Sequence, residues 1–424
     1  MTNQWDVAVI GGGASGLAAA CTAAAAGCRT VILERGARVG RKLLVTGNGK
    51  CNLTYDGAGA PDAYFSETPA RAAEIRNRCT PAQTLQFFRS IGLLTRTDDS
   101  RRVYPYSEQA SAVLDVLRAA CQAHGAAERC EFDVVRVEPQ DGGFWIVGAD
   151  GAWVTARAVI AACGGSAAPA NGGTDSGFRL MRALGHTVVA PHPALVPLRT
   201  DGALVRPLKG LRVKCAVTLL HGAQRLRREV GELQFGEGQL SGVCIFQLSR
   251  QVPTHPNPAD PWSVAVDLCP DEPGDLARFL TERARILADC PAESAFLGVF
   301  HKKIGYELLR GVVPDIAHRT VGSIPAAAWR VLAQRCRAWT FPVYGTGGYA
   351  AAQVTAGGVR LTELTLDLAS QRVPGLFLCG ELLDADGICG GYNLQWAWST
   401  GLQAGRGAAA VCGRKIRNAQ DFSI

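Results

Sequence analysis

Residues 6–17 read Asp6-Val7-Ala8-Val9-Ile10-Gly11-Gly12-Gly13-Ala14-Ser15-Gly16-Leu17; an alanine-rich run follows to Ala26, and the chain resumes as Thr30-Val31-Ile32-Leu33-Glu34. The apolar residues 7–10 predict a buried strand, the glycines a turn, the alanine-rich run a helix, and residues 30–33 a second strand. The opening of the chain is therefore a βαβ unit. Gly11, Gly13 and Gly16 fall on the three positions of a dinucleotide fingerprint. The first permits the tight turn, the second lets a pyrophosphate reach the backbone, and the third lets helix pack on strand. Ala14 and Ser15 then open a helix whose N-terminal dipole favours phosphate charge. Glu34, 23 residues after Gly11, ends the second strand where its carboxylate can accept hydrogen bonds from an adenosine ribose. Residues 7–28 carry no charge and are numerous enough to span a bilayer. Their Gly and Ala content is only weakly hydrophobic, and the glycines cluster at one end, which fits strand, turn and helix better than a membrane span.

The 424 residues predict two or three domains with a substantial core. Hydrophobic residues at 47% and charged residues at 19% exclude disorder and collagen-like repeats. A formal charge of +7 is a mild basic excess, far from a nucleic-acid footprint. Fifteen cysteines are scattered through apolar stretches with no C-x-x-C pair, so a zinc ribbon and a dithiol redox centre both lack their spacing and no metal site is expected. With no charged-then-apolar leader, the cysteines read as reduced and the protein as cytoplasmic.

Further along, residues 81–91 and 107–124 read as helices, and residues 130–138, 143–147 and 153–155 as an antiparallel meander. Residues 158–162 form a buried strand ending at Ala162 and running into Gly164-Gly165. Past residue 191 prolines punctuate strand-like runs at 211–220 and 224–228. Helical patterns appear at 272–289 and 325–338, and a strand at 340–344. From Thr355 the Gly-rich α/β character returns. These shifts predict one discontinuous domain from residues 1–190 and 354–424, with residues 191–353 inserted as a β-rich, substrate-facing domain whose helical part covers about residues 270–338.

NAD and FAD share the fingerprint, and the C-terminal part decides between them. Residues 373–381 are an apolar strand running into Gly380-Glu381, an arrangement suited to the ribityl and phosphate side of a flavin. Gly390-Gly391-Tyr392-Asn393-Leu394-Gln395 follows, then an apolar helix over residues 396–411 with glycines at 401, 405 and 407. The N-terminus of that helix can face the flavin pyrimidine ring, where reduction places negative charge. A third element, residues 40–54, sets cations around a polar loop with Thr46, Gly47 and Asn52; by composition alone it suits equally a segment lying along a dinucleotide and a solvated charged loop.

Together these motifs resemble a bacterial family, the FAD-binding flavoproteins of the aminoacetone-oxidase or BaiN-type (YhiN-like) group. Residues 46–54 are similar to its T-G-x-G-[RK]-C-N-x-T, and residues 380–398 to its G-E-x-x-D-x-D-G-x-x-G-G-Y-N-L-Q-x-A-x. Residues 231–235, 240–242 and 354–359 also look like family motifs. The resemblance implies an α/β fold: a Rossmann-like, discontinuous two-dinucleotide-binding FAD domain with an inserted β-barrel-like domain and a small helical subdomain. It also implies FAD neighbours at Gly11, Gly13, Gly16, Glu34, Arg35, Lys42, Thr46, Asn52, Gly380, Glu381, Gly391, Asn393 and Leu394. Ala14, Ser15, Gly47, Val135, Ala162, Gly164 and Tyr392 complete the cofactor-binding candidates. The chain departs from the family at Gly236-Glu237, Val243 and residues 367–371, which weakens transfer of a particular substrate more than of FAD.

FAD implies hydride or electron transfer. Only one strand-flanked G-x-G-x-x-G is present, and the cluster Gly164, Gly165, Gly172, Gly173 and Gly177 lacks a strand-helix-acid unit, so NADH or NADPH is expected as a transient co-substrate without its own domain. The leading expectation is reduction of an activated C=C bond in a small or medium organic substrate, as the resemblance implies. Oxidation of an aminoacetone-like amine by oxygen is the close alternative. An RNA-modifying flavoprotein, suggested by Arg225-Leu226-Arg227-Arg228, and a flavin carrier without turnover belong to other classes. No nucleic acid or membrane partner is expected, and oligomeric state stays open. Tyr392 is the candidate proton donor, with His301 and Lys303 behind it; Cys51 and Cys389 read as packing residues.

Overall fold

A computed structural model describes residues 3–414 apart from 58 and 61. The βαβ unit consists of strand β1 (Gln4–Ile10), helix α1 (Ala14–Ala25) and strand β2 (Thr30–Leu33). β1 lies parallel between β2 and the strand Trp153–Ala161. Its residues Val7, Ala8 and Val9 are fully buried, as a strand covered on both faces requires. Trp153–Ala161 has two partners along its other edge. Residues 153–156 pair antiparallel with Gly143–Gly148 of the meander, whereas residues 159–161 pair in parallel with Leu376–Leu378. A strand from the far end of the chain thus completes the parallel sheet, and the fold is the Rossmann-type α/β architecture that the sequence implies.

Several boundaries differ from the sequence reading. The strand expected at 130–138 starts only at Val134, and a separate short strand precedes it. Ala127–Arg129 runs parallel to β2, and Val134–Gln140 runs antiparallel to Gly143–Gly148. Glu131, in the left-handed region at φ 57°, turns the chain between them. Residues 153–155 and 158–162 belong to one strand instead of two. The helix expected from 107 starts at Ala110, because Glu108 is left-handed and Gln109 extended. The last helix begins earlier than expected, at Tyr392, and ends at Val411.

The chain separates into two compact units, Met1–Ala194 with Ala352–Ile424, and Leu195–Ala351. In the second, six antiparallel strands run in the order Leu198–Arg199, Gln239–Ser241, Gln224–Phe235, Arg212–His221, Trp262–Asp267 and Trp339–Val343. Arg199 N–H donates to the Gly345 carbonyl (2.8 Å) and Tyr344 N–H to the Arg199 carbonyl (2.9 Å), so the first strand meets the continuation of the last and the barrel-like sheet nearly closes. Helices Leu276–Ile286, Lys302–Arg310 and Ala326–Arg337 accompany it, sharing one apolar core through Leu280, Leu308 and Leu332.

Within the first unit a buried polar clasp ties the end of the N-terminal segment to the returning chain. His186 Nδ1 lies 2.9 Å from Glu363 Oε2 and its Nε2 2.9 Å from Ser370 Oγ, while Arg372 donates to Glu363 Oε1 at 2.8 Å. Burial lowers the His186 imidazole below its ordinary value, partly offset by Glu363. Burial pushes the Glu363 carboxyl up, but hydrogen bonds from Arg372, Thr187 and His186 outweigh it and bring it down to about 2. Both groups bind protons more weakly folded than unfolded, so their stabilisation is complete near neutrality and is lost on acidification, first through His186 and then through Glu363. Glu363→Ala leaves a buried imidazole and a guanidinium without their acceptor and is expected to cost about 2 kcal/mol. Thermal unfolding at pH 7 and below checks this: the variant loses stability at pH 7, and its further loss through His186 on acidification is steeper than the parent's, because Glu363 no longer offsets the burial of the imidazole.

Candidate cofactor and active site

The glycine turn separates positions that need glycine for folding from one that leaves room for something else. At Gly11 (φ 104°) a Cβ would stand 2.4 Å from the Ala162 carbonyl oxygen, and at Gly16 one would stand 1.9 Å from that of Gly11. At Gly13 a Cβ would meet nothing within 4 Å. No side chain caps α1 at Gly13, and no acidic residue lies in its first turn. The N–H groups of Ala14, Ser15 and Gly16 therefore border an open space at a positive helix end, a cradle that fits a diphosphate. Glu34 closes one side. Its Oε2 accepts from Gly12 N–H (2.8 Å) and its Oε1 from Gly36 N–H (2.7 Å), and each oxygen keeps lone-pair capacity for a ribose hydroxyl. Arg35 donates to the Gly172 carbonyl (3.2 Å). Gly164 (φ 70°) faces open space, and Val135 is exposed at a register irregularity of its strand.

The second group of candidates converges on the same helix end. A Cβ on Gly380 would lie 2.3 Å from Ser15 Oγ, so glycine lets the Cys379–Glu381 turn rest on the start of α1. Glu381 Oε1 accepts from Thr355 N–H (2.8 Å) and Oε2 from Lys42 Nζ (2.7 Å). That pair joins residues 40–54 to the C-terminal turn. Thr46 Oγ1 donates to the Leu43 carbonyl (2.6 Å), and Gly47 adopts φ 56° in the same loop. Asn52, with its amide oriented to satisfy its neighbours, accepts from Gly391 N–H (3.0 Å) and donates to the Thr54 carbonyl (2.9 Å). Asn393 clamps the backbone of Gly387 with two hydrogen bonds of 2.8 and 2.7 Å. Both amides are thus engaged in shaping the start of the last helix, and Leu394 packs against the core. Gly391 caps that helix with no side-chain bond and no acidic residue in the first turn, which makes a second positive helix end that no side chain caps.

Tyr392 stacks on Tyr55 with ring centroids 4.1 Å apart, Tyr64 meets it edge-on at 5.8 Å, and its hydroxyl accepts from Ala60 N–H (3.0 Å). These contacts make it a buried aromatic pillar beneath the loop. His301 Nδ1 accepts from Lys303 N–H (3.3 Å), a helix N-cap, and the Lys303 side chain is exposed. Burial pushes the Cys51 thiol up to about 12, so it stays protonated. No disulfide joins the 15 cysteines, and the described residues hold no cluster of His, Cys, Asp or Glu suited to a metal. No helix among them is long and apolar enough to cross a membrane.

Sequence reasoning missed Gln395, which is fully buried. It accepts from the Thr54 hydroxyl (2.7 Å) and donates to Thr84 Oγ1 (3.0 Å) and the Cys79 carbonyl (3.2 Å), fastening the loop and the helix Pro81–Ser90 to the last helix. A lone amide inside an apolar helix was the available signal. Trp396 Nε1 donates to the Gly380 carbonyl (3.1 Å) and Trp398 Nε1 to that of Leu53 (3.0 Å), so both indoles brace the turns around the site.

The family model described as HI0933-like protein Rossmann domain matches residues 5–407. A 3-dehydro-bile acid delta(4,6)-reductase from Clostridium scindens is 36% identical over 415 residues, 95% of this chain and 98% of that protein. A ribosomal RNA dihydrouridine synthase from Escherichia coli is 28% identical over 402 residues, 94% of this chain and 96% of that protein. Among solved structures, a 3-ketosteroid delta1-dehydrogenase from Sterolibacterium denitrificans shares the fold, with TM-score 0.52 and 14% identity over 96% of this chain and 100% of that one.

Two glycine substitutions are expected to behave oppositely. Gly13→Val has room in the folded chain, so it should leave the melting temperature of the cofactor-stripped protein unchanged while abolishing FAD retention. Gly16→Val should prevent folding, because its Cβ has no space against the Gly11 carbonyl. Melting curves and the FAD released on boiling measure both effects. The match over residues 5–407, together with 36% identity to one full-length relative, settles the lineage: the chain belongs to the HI0933-like family of FAD-binding Rossmann proteins and is an FAD-dependent oxidoreductase.

Proposed function

We propose that the chain reduces a C=C bond conjugated to a carbonyl in a steroid-like substrate, with NADH or NADPH as the electron donor. The observation that carries this reading is the 36% identity, over nearly the full length of both chains, to a protein named as a bile acid delta(4,6)-reductase. FAD, when bound, supplies the hydride. In balance, NAD(P)H and one proton are consumed, two hydrogens add across the double bond, and NAD(P)+ leaves. The N–H groups of residues 14–16 hold the diphosphate, Glu34 orients the ribose, and the Lys42–Glu381 pair fixes the loop beside the ribityl side. The N–H groups of residues 392–394, which no side chain caps, would favour negative charge on the reduced ring system.

A second reading, reduction of a uracil ring in ribosomal RNA, is favoured by the relative at 28% identity and by another from Haemophilus influenzae at 26%. It asks for the same bond chemistry on a polyanionic substrate. The basic cluster of residues 225–228 supports it weakly, because Arg227 pairs with Glu229 (2.6 Å) and Arg228 with Asp267 (3.5 Å) on the protein itself.

Anaerobic stopped-flow mixing tests the proposal. NADH or NADPH is expected to bleach the flavin band, and a 3-oxo bile acid carrying the 4,6-diene to restore it, faster than an unmodified ribosomal RNA fragment. Bleaching by an amine with none by either nicotinamide would overturn the reading in favour of an oxidase.

A further inference from the structure

The small sheet of Thr54–Tyr55, Thr95–Thr97 and Arg102–Pro105 borders a cavity of about 400 Å³ that also touches the loop before the last helix. The stacked rings of Tyr55 and Tyr392 line it, Gly390 leads from it to the helix start, and Asp56, Arg101 and Arg102 stand on its wall.

The backbone around the two arginines is held in an unusual form. Arg101 is left-handed at φ 61°, a conformation that strains a residue with a Cβ and persists only where neighbours enforce it. Asp98 enforces it. Its carboxylate accepts from Ser100 N–H (2.9 Å) and Arg102 N–H (2.8 Å), and its carbonyl accepts from Arg101 N–H (2.9 Å). On the other side, the Arg101 carbonyl accepts from Asp56 N–H (2.8 Å). What the turn delivers is two adjacent guanidiniums at one cavity. Arg101 has only a long, exposed ion pair with Asp56 (3.7 Å), and the Arg102 guanidinium has no hydrogen bond or ion pair among the described residues. Two positive groups against one carboxylate leave the wall with a net charge of +1. An aromatic floor below an arginine wall is the lining for a ligand with an apolar ring skeleton and one anionic end.

We infer that this cavity is a substrate subsite in which Arg101 and Arg102 hold the carboxylate of an amphipathic acid while its ring body lies over Tyr55 and Tyr392. Gly390 connects the subsite to the helix start, so the far end of the bound molecule lies toward the position proposed for the flavin ring. The choice of a steroid acid as probe rests on the proposed reductase reading; the carboxylate-binding role of the two arginines does not.

The test uses the FAD-loaded protein, a 3-oxo bile acid with the 4,6-diene, and its methyl ester. Dissociation constants are read calorimetrically on the oxidised protein, and reoxidation of the reduced flavin is read separately. The acid is expected to bind about tenfold more tightly than the ester, and Arg101→Gln/Arg102→Gln to erase that preference with FAD content and melting temperature unchanged. Equal binding of acid and ester by the parent, or a preference that survives in the double variant, overturns the inference even if both compounds reoxidise the flavin. If neither reoxidises the flavin while the arginine-dependent preference is present, the reductase reading fails and the carboxylate subsite stands. An arginine-dependent affinity for an RNA hairpin with none for the acid overturns the small-molecule ligand in favour of RNA phosphate. Asp98→Ala supplies an independent readout: loosening the turn should weaken acid binding and leave ester binding as it was.

Discussion

Two helices from opposite ends of the chain touch backbone to backbone, and the candidate site exists only because they do. A Cβ on Gly401 would lie 2.4 Å from the Ser15 carbonyl oxygen, and one on Gly405 would lie 2.6 Å from that of Ala19. No other residue lets α1 and the helix Tyr392–Val411 approach so closely. The contact fixes their registration as well as their distance. Gly401 lies nine residues into the last helix, so at the α-helical rise its start is roughly 14 Å along the axis from where α1 begins. Two positive helix ends that no side chain caps are held a set distance apart by a packing constraint with no freedom to slide.

The polar residues around these ends preserve that registration. Lys42 and Glu381 pair across 339 residues of sequence, Gln395 fastens the loop at Thr54 to the last helix, and Trp396 and Trp398 donate to backbone carbonyls of the turns that flank the site. Buried amides and indoles are costly without partners, and here each finds one in a segment from elsewhere in the chain. The walls of the cradle are therefore held by the chain's own hydrogen bonds.

Much of this was legible in the sequence where the physics is local. The apolar run, the three glycines and Glu34 dictate strand, turn, helix and strand from within 30 residues, and the structure places each of them. The glycines of the last helix were also visible as a close-packing signal, although the partner helix was not. What local reasoning could not reach was determined by distant partners. Glu131 breaks an apparent strand without a glycine or proline to announce the turn. Asn52 and Asn393 stand in a motif that suggests cofactor contact, yet their amides spend their hydrogen bonds on Gly391, Thr54 and Gly387. Tyr392 carries a hydroxyl in the right segment, but its stacking with Tyr55 depends on a strand more than 300 residues away. The clasp of His186 with Glu363 and Ser370 left no trace in composition or periodicity, since its members are isolated polar residues in unremarkable surroundings.

The most direct measurement is a crystal structure of the protein purified with its native cofactor. The account predicts one FAD per chain, its diphosphate within hydrogen-bonding distance of the N–H groups of residues 14–16, its ribose on Glu34, and its pyrimidine edge at the N–H groups of residues 392–394. An FAD bound at one helix end but turned away from the other, or seated elsewhere in the chain, would contradict it.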